Sequence, residues 1–189
     1  LWNCSDSLAV QFRFGENGIR ISSMKFNAKK IALIAVLTAV TFLATLVHVP
    51  TGASSYFNLS ESVVYASALL FGWLVGGLAG GLGAALADIL LGFALPWAPI
   101  SFLVKGLEGF IVGSLARLPW KHRLLGDVVS ILAAFPIMVG GYVLSAGLIY
   151  GWPAAYVEFV TDLVQCATGL AIALPMVYGL RRARIAQSW

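Results

Sequence analysis

Gly76-Gly77-Leu78-Ala79-Gly80-Gly81-Leu82-Gly83-Ala84-Ala85-Leu86-Ala87-Asp88 is the stretch that decides how this chain folds. Two rows of small residues at four-residue spacing run through it: Gly76, Gly80, Ala84 and Asp88, then Gly77, Gly81 and Ala85. In lipid no hydrophobic force drives helices together, and close backbone approach at small residues supplies the packing contact instead. The run therefore predicts a helix held at the centre of a membrane bundle. It does not predict a phosphate cradle, because it has neither the Gly-x-Gly-x-x-Gly spacing nor a strand before it, and the chain contains no Gly-x-x-x-x-Gly-Lys-Ser/Thr. Small-residue rows recur at Gly106, Gly109 and Gly113, and at Ala35 and Ala39.

The surrounding composition agrees. Of 189 residues, 60% are hydrophobic and 11% charged, whereas a soluble domain carries roughly a quarter charged residues. Disordered chains are apolar-poor and charge-rich, so disorder is excluded. Two cysteines, Cys4 in a polar segment and Cys166 deep in an apolar run, do not make a disulfide scaffold. The formal net charge of +4 does not point to nucleic acid. Between residues 31 and 180 the only Lys and Arg are Lys105, Arg117, Lys121 and Arg123, and no basic stripe lies along a folded face.

Positive charge falls instead in three clusters: Lys25, Lys29 and Lys30; Arg117, Lys121 and Arg123; Arg181, Arg182 and Arg184. Cytoplasmic loops collect Lys and Arg, so an even number of helices separates each neighbouring pair. At roughly 20 residues per span, residues 31–116 hold four helices and 124–180 hold two. The expected fold is an all-α membrane protein of six transmembrane helices with both termini cytoplasmic. The helices are placed near 31–49, 60–71, 74–93, 99–117, 127–150 and 154–180, the second being short and the fifth carrying Pro136 and Gly140-Gly141 as kink points. Residues 1–23 read as a polar extension outside the fold, 24–184 as the membrane domain and 185–189 as a tail. Leu1 to Ser23 lack the basic flank, apolar core and small-residue cleavage site of a signal peptide.

Ionisable residues inside a membrane are costly and are functional candidates. Here they are Glu61, Asp88, Lys105, Glu108, Glu158 and Asp162. Counting about 1.5 Å per residue, Asp88 lies roughly 7 Å and Lys105 about 9 Å below the outer helix ends, so an Asp88–Lys105 pair is expected. Such a pair reads equally as purely structural. Glu158, Asp162 and Gln165 share one face of the sixth helix, and Asn58, Glu61 and His48 border the same side. Polar groups thus gather in the outer half above an apolar floor, which suits a pocket and not an ion pathway. Tyr56, Phe57, Phe93, Trp97, Tyr150, Trp152 and Tyr156 stand at that level. Singly each reads as an interface belt; together, above the acids, they point to a flat, polar-edged ligand stacked on aromatic faces. An intramembrane enzyme using Asp88, Glu108 or His48 as acid or base is the competing class. Against it stand the absence of clustered metal-ligand spacing and only two His.

Phe57-Asn58-Leu59-Ser60-Glu61-Ser62-Val63-Val64, Leu70-Phe71-Gly72, Ala87-Asp88-Ile89-Leu90-Leu91-Gly92, Pro96-Trp97-Ala98-Pro99 and Lys105-Gly106-Leu107-Glu108-Gly109, with the glycine row, resemble the substrate-binding S components of energy-coupling factor (ECF) transporters. The likeness is to the riboflavin branch, with hydroxymethylpyrimidine carriers as close relatives; hydroxymethylpyrimidine or thiamine is the alternative ligand on the same scaffold. It implies a vitamin pocket near the outer face of a prokaryotic plasma membrane, with the first outer loop as a lid. Its partners would be a transmembrane coupling protein and two cytoplasmic ATPases. Ala32, Ala35 and Ala39 lie where the coupling protein would dock. The expected ligand site is Asn58, Glu61, Asp88, Trp97, Lys105, Trp152, Glu158, Asp162 and Gln165. No cofactor and no catalysis are expected; riboflavin enters as the transported ligand.

Overall fold

The computed structural model describes residues 10–15, 18–23, 28–52 and 55–183. The chain divides into two compact units, Leu1–Leu33 and Ile34–Trp189. In the first, β1 (Val10–Gly15) and β2 (Gly18–Ser23) form an antiparallel hairpin with Val10 opposite Ser23 and Gly15 opposite Gly18. The sequence reading placed no element there. Helix α1 (Ala28–Leu46) follows.

The second unit continues with a short antiparallel hairpin, β3 (His48–Pro50) with β4 (Tyr56–Asn58). Five helices complete it: α2 (Ser60–Phe71), α3 (Trp73–Leu90), α4 (Trp97–Leu115), α5 (Arg123–Tyr150) and α6 (Trp152–Arg182). Each expected helix is present. α1, α3, α4, α5 and α6 are long and apolar enough to cross a membrane, whereas α2 has 12 residues. At about 1.5 Å per residue α2 is roughly 18 Å long, short of the ~30 Å hydrocarbon core. Its last carbonyls lack intrahelical partners and find them at the basic end of the bundle. Arg181 Nη2 donates to Leu69 O at 3.0 Å, and Arg117 Nη2 donates to Phe71 O at 3.0 Å.

The glycine rows divide their work as the spacing demands. A Cβ on Gly76 would lie 2.5 Å from Ala68 Cβ, and one on Gly80 3.0 Å from Val64, so the first row packs on α2. On Gly77 and Gly81 it would lie 2.9 and 2.7 Å from the carbonyl oxygens of Gly106 and Phe102, so the second row packs on α4. Gly83 takes α1 at Thr41 and Thr38. α3 thus packs on three neighbours and leaves Leu82, Leu86 and Ile89 exposed on its remaining face. Gly72 turns α2 into α3 at φ 92°, with the Arg117 guanidinium where a side chain would be; only glycine serves there. α5 runs as one helix through Pro136 and Gly140-Gly141.

Two apolar layers stack along the bundle. One gathers Tyr65, Leu69, Val112, Ile131, Ala134, Ala173 and Val177. The other, nearer the β3–β4 hairpin, gathers Trp97, Val104, Met138, Tyr142 and Cys166. The first layer is the apolar floor that the sequence implies. Beyond it a buried polar contact closes the far end, where Arg181 forks onto Asp127.

Candidate functional site

α4 turns Ser101, Lys105 and Glu108 inward on successive turns, and α2 answers with Glu61 and Tyr65. α6 approaches α2 closely because Gly169 has no side chain: a Cβ there would lie 2.3 Å from Glu61 Cβ. That proximity brings Gln165, one turn earlier on α6, onto Glu61. Gln165 Nε2 donates to Glu61 Oε1 at 2.7 Å, and Lys105 is ion-paired with the same Glu61 carboxylate. Lys105 Nζ also lies 3.8 Å from Glu108 Oε2, while Tyr65 donates to Glu108 Oε1 at 2.8 Å. The Lys105 and Glu61 side chains are 3% and 0% exposed. A buried ammonium in this setting is stable only because opposite charge lies beside it; the Tyr142 ring, 5.6 Å away by its centroid, adds a cation–π contact.

Above this pair lies a cavity of about 30 Å³. Of the nine ligand residues expected from sequence, Asn58, Asp88, Trp97, Lys105, Glu158, Asp162 and Gln165 line it. Glu61 sits directly behind, held by Lys105. Trp152 does not belong: it is 71% exposed at the start of α6, with its ring against Gly147. An aromatic at a helix entrance follows the interface and not the pocket, and Tyr156, also 71% exposed, does the same.

The expected Asp88–Lys105 pair is replaced by two separate ones. Tyr56 donates its hydroxyl to Asp88 Oδ1 at 2.5 Å, and Lys105 takes Glu61. Matching depth on neighbouring helices does not fix the direction around each axis. Lys105 and Glu108, three apart, both face α2, where Glu61 and Tyr65 stand one turn apart. Burial pushes the Tyr56 hydroxyl above its ordinary range, with the Asp88 charge adding to the effect, so it remains a donor at physiological pH.

The β3–β4 hairpin and its loop are fastened over the cavity by three hydrogen bonds, one to α3 and two to α6. Besides Tyr56 on Asp88, the Asn58 N–H donates to Gln165 Oε1 at 2.8 Å, and Thr161 donates to Thr51 Oγ1 at 3.0 Å. Asn58 Oδ1 in turn accepts the Ser60 N–H at 2.9 Å, fixing the start of α2. Aromatic faces continue the wall: Tyr56 against Phe93, and Trp97 against both Tyr142 and Tyr150, with centroids 6.0 to 6.1 Å apart. Ser60, Ala84, Thr45, Ser101 and Tyr142 complete the lining, the last three not singled out by sequence. Tyr142 carried a usable signal, since a tyrosine in mid-helix lies too deep for a belt and needs a buried partner; it donates to Ser101 Oγ at 2.9 Å.

Three buried carboxylate oxygens on the cavity wall accept no hydrogen bond from the described residues: Asp88 Oδ2, Glu158 Oε2 and Asp162 Oδ2. Buried acceptors left in this way are costly. Chemically, the site offers carboxylate acceptors, one neutralised ammonium and aromatic faces within a small enclosed volume. Among the described residues no group of His, Cys, Asp and Glu is arranged to hold a metal.

The sequence model of the ECF-type riboflavin transporter S component matches residues 25–182. An uncharacterized protein of Pyrococcus woesei is 40% identical over 147 residues, covering 76% of this chain and 95% of that protein. The thiamine precursor transporter HmpT of Lactococcus lactis is 33% identical over 150 residues, covering 78% and 84%. Among solved structures, ThiT from Listeria monocytogenes superposes with a TM-score of 0.61 at 18% identity, over 82% of this chain and 94% of the other. An S component of a bacterial ECF transporter gives 0.62 at 14%, over 82% and 96%. These two establish the fold.

Proposed function

The chain belongs to the family of ECF-type riboflavin transporter S components, and from that membership we propose that it captures riboflavin for uptake by an ECF transporter. The observation that carries the reading is the cavity wall itself: unpartnered carboxylate oxygens of Asp88, Glu158 and Asp162 beside the aromatic faces of Tyr56, Phe93, Trp97 and Tyr142. A flavin brings a flat ring to stack, one ring N–H and several side-chain hydroxyls, and those donors answer the acceptors. Glu61, itself held by Gln165, pairs with Lys105, so the ammonium meets the ligand already partly neutralised.

A cavity of about 30 Å³ is far below the roughly 300–1,000 Å³ of ligand pockets. Entry therefore requires the β3–β4 hairpin to swing away, breaking Tyr56–Asp88 and Asn58–Gln165, and to close again over the bound molecule. The same small volume favours a second reading, a hydroxymethylpyrimidine precursor of thiamine, whose amino group suits carboxylates and whose ring is smaller. The 33% identity to a thiamine precursor transporter supports it.

The pocket end faces outward and both termini face the cytoplasm in this proposal. Arg117, Lys121, Arg123, Arg181 and Arg182 all lie at or beyond the opposite helix ends, as the distribution of Lys and Arg in plasma-membrane proteins requires. Ala32, Ala35 and Ala39 are exposed along α1, and we assign them to docking on a transmembrane coupling protein driven by two ATPases. Titrating the purified chain with riboflavin, hydroxymethylpyrimidine and thiamine tests the reading. Saturable binding of riboflavin that the other two compete for weakly supports it. Preference for the pyrimidine transfers the assignment to the second reading, and binding of none removes both.

A further inference from the structure

At the far end of the bundle a groove of about 400 Å³ opens between the start of α5 and the end of α6. Its rim carries Arg123, Arg181 and Arg182, and its wall includes Leu174 and Tyr178. Asp127 lies at its base, 4% exposed in its side chain, and takes the fork of Arg181. Arg123 Nε reaches the same carboxylate only at 3.7 Å, with its side chain 56% exposed. Arg182 is exposed and pairs with no carboxylate among the described residues. One acid against three guanidinium groups leaves the rim cationic.

The groove has the profile of an amphiphile. Below the rim the outward surfaces are apolar, with Leu124 61%, Leu132 49%, Ile172 39% and Met176 39% exposed. In a membrane protein such surfaces meet acyl chains. The rim stands where the apolar runs of α5 and α6 end, at the level of the lipid headgroups, and Tyr178, 65% exposed, marks that interface. Guanidinium groups fork naturally onto phosphate oxygens, and basic pockets between membrane helices are suited to anionic headgroups.

We propose that the α5–α6 groove holds the headgroup of an anionic phospholipid, with Arg123 and Arg182 on the phosphate. Arg181 serves as the fixed wall, because Asp127 and the Leu69 carbonyl already hold it. The lipid's tails lie along the exposed apolar strip, and the occupied groove ties the end of α6 to the start of α5. This site is separate from the ligand cavity and does not depend on which vitamin that cavity accepts.

The test uses the full chain in nanodiscs of phosphatidylcholine with a minority of phosphatidylglycerol, reading retained lipid by native mass spectrometry. Wild type should retain phosphatidylglycerol selectively, the Arg123→Gln/Arg182→Gln variant should lose about tenfold or more of that preference, and the Arg123→Lys/Arg182→Lys variant should keep most of it. An unchanged thermal unfolding profile certifies that the glutamine variant is folded. If it is not, Arg182→Gln alone, at an exposed and unpaired position, carries the test, and Lys121→Gln serves as the off-site control. Equal retention of the two lipids by wild type, an unaltered preference in the folded variant, or displacement of the lipid by inorganic phosphate alone would each overturn the assignment.

Discussion

Lys105 on α4 reaches Glu61 on α2 across the middle of the bundle, and water reaches neither side chain appreciably. Gln165 and Glu108 complete the enclosure. Removing one partner of a buried pair strands the other charge. Lys105→Met should therefore destabilise the protein by about 3–5 kcal/mol, and Glu61→Gln should destabilise it as well. The double variant should fall well short of the sum. Thermal unfolding in detergent checks this, and additive losses would mean the two side chains do not act as a pair.

Tyr56 is the latch. Its hydroxyl donates to Asp88 in the closed site, and a hydrogen bond to a charged group is worth about 1.5–3 kcal/mol. Tyr56→Phe keeps the ring that stacks on Phe93 and removes only that bond. Ligand release should accelerate by about tenfold or more, with association little changed. Stopped-flow displacement reads the rate, and an unaltered release rate would take Tyr56 out of the closing step.

Gly109 and Gly140 offer a matched contrast. A Cβ on Gly109 would lie 2.5 Å from the Gly76 carbonyl group, against backbone that cannot move aside, whereas one on Gly140 meets nothing within 4 Å. Gly109→Ala should force α3 and α4 apart and cost about 1–3 kcal/mol or more. Gly140→Ala should be neutral or stabilising by roughly 0.5–1 kcal/mol through reduced backbone freedom. Melting temperatures of the two variants decide it.

Ala35 and Ala39 stand exposed on α1. Replacing either by Trp should leave ligand affinity of the isolated chain unchanged and abolish uptake by the assembled transporter, measured side by side in binding and whole-cell assays. Loss of affinity in the isolated chain would assign these alanines to internal packing.

Much of this arrangement is legible in the residues because a bilayer permits few alternatives. The four-residue spacing of Gly76, Gly80 and Ala84 dictates a closely packed helix, and the charges of Asp88, Lys105, Glu158 and Asp162 in apolar runs dictate a polar site. Direction around each helix axis is what the pattern leaves open. Depth alone places Asp88 level with Lys105, but the partner of each is chosen by azimuth. It is Gly169, by admitting α6 against α2, that puts Gln165 on Glu61. Trp152 shows the converse limit, since an aromatic at the right level belongs to the interface unless its backbone turns it inward. The β1–β2 hairpin rests on cross-strand pairing outside the apolar runs, where a helix-period reading has no purchase.

The central claim, that a flat heterocycle is held between the aromatic wall and the carboxylates beneath the β3–β4 hairpin, is tested most directly by tryptophan fluorescence. Trp97 lines the cavity and Trp152 lies outside it, so the two serve as reporter and control in one titration with riboflavin and hydroxymethylpyrimidine. The account expects saturable quenching that survives Trp152→Phe and largely disappears in Trp97→Phe, with Asp162→Asn weakening the affinity. Quenching that follows Trp152, or that persists undiminished without Trp97, would contradict it.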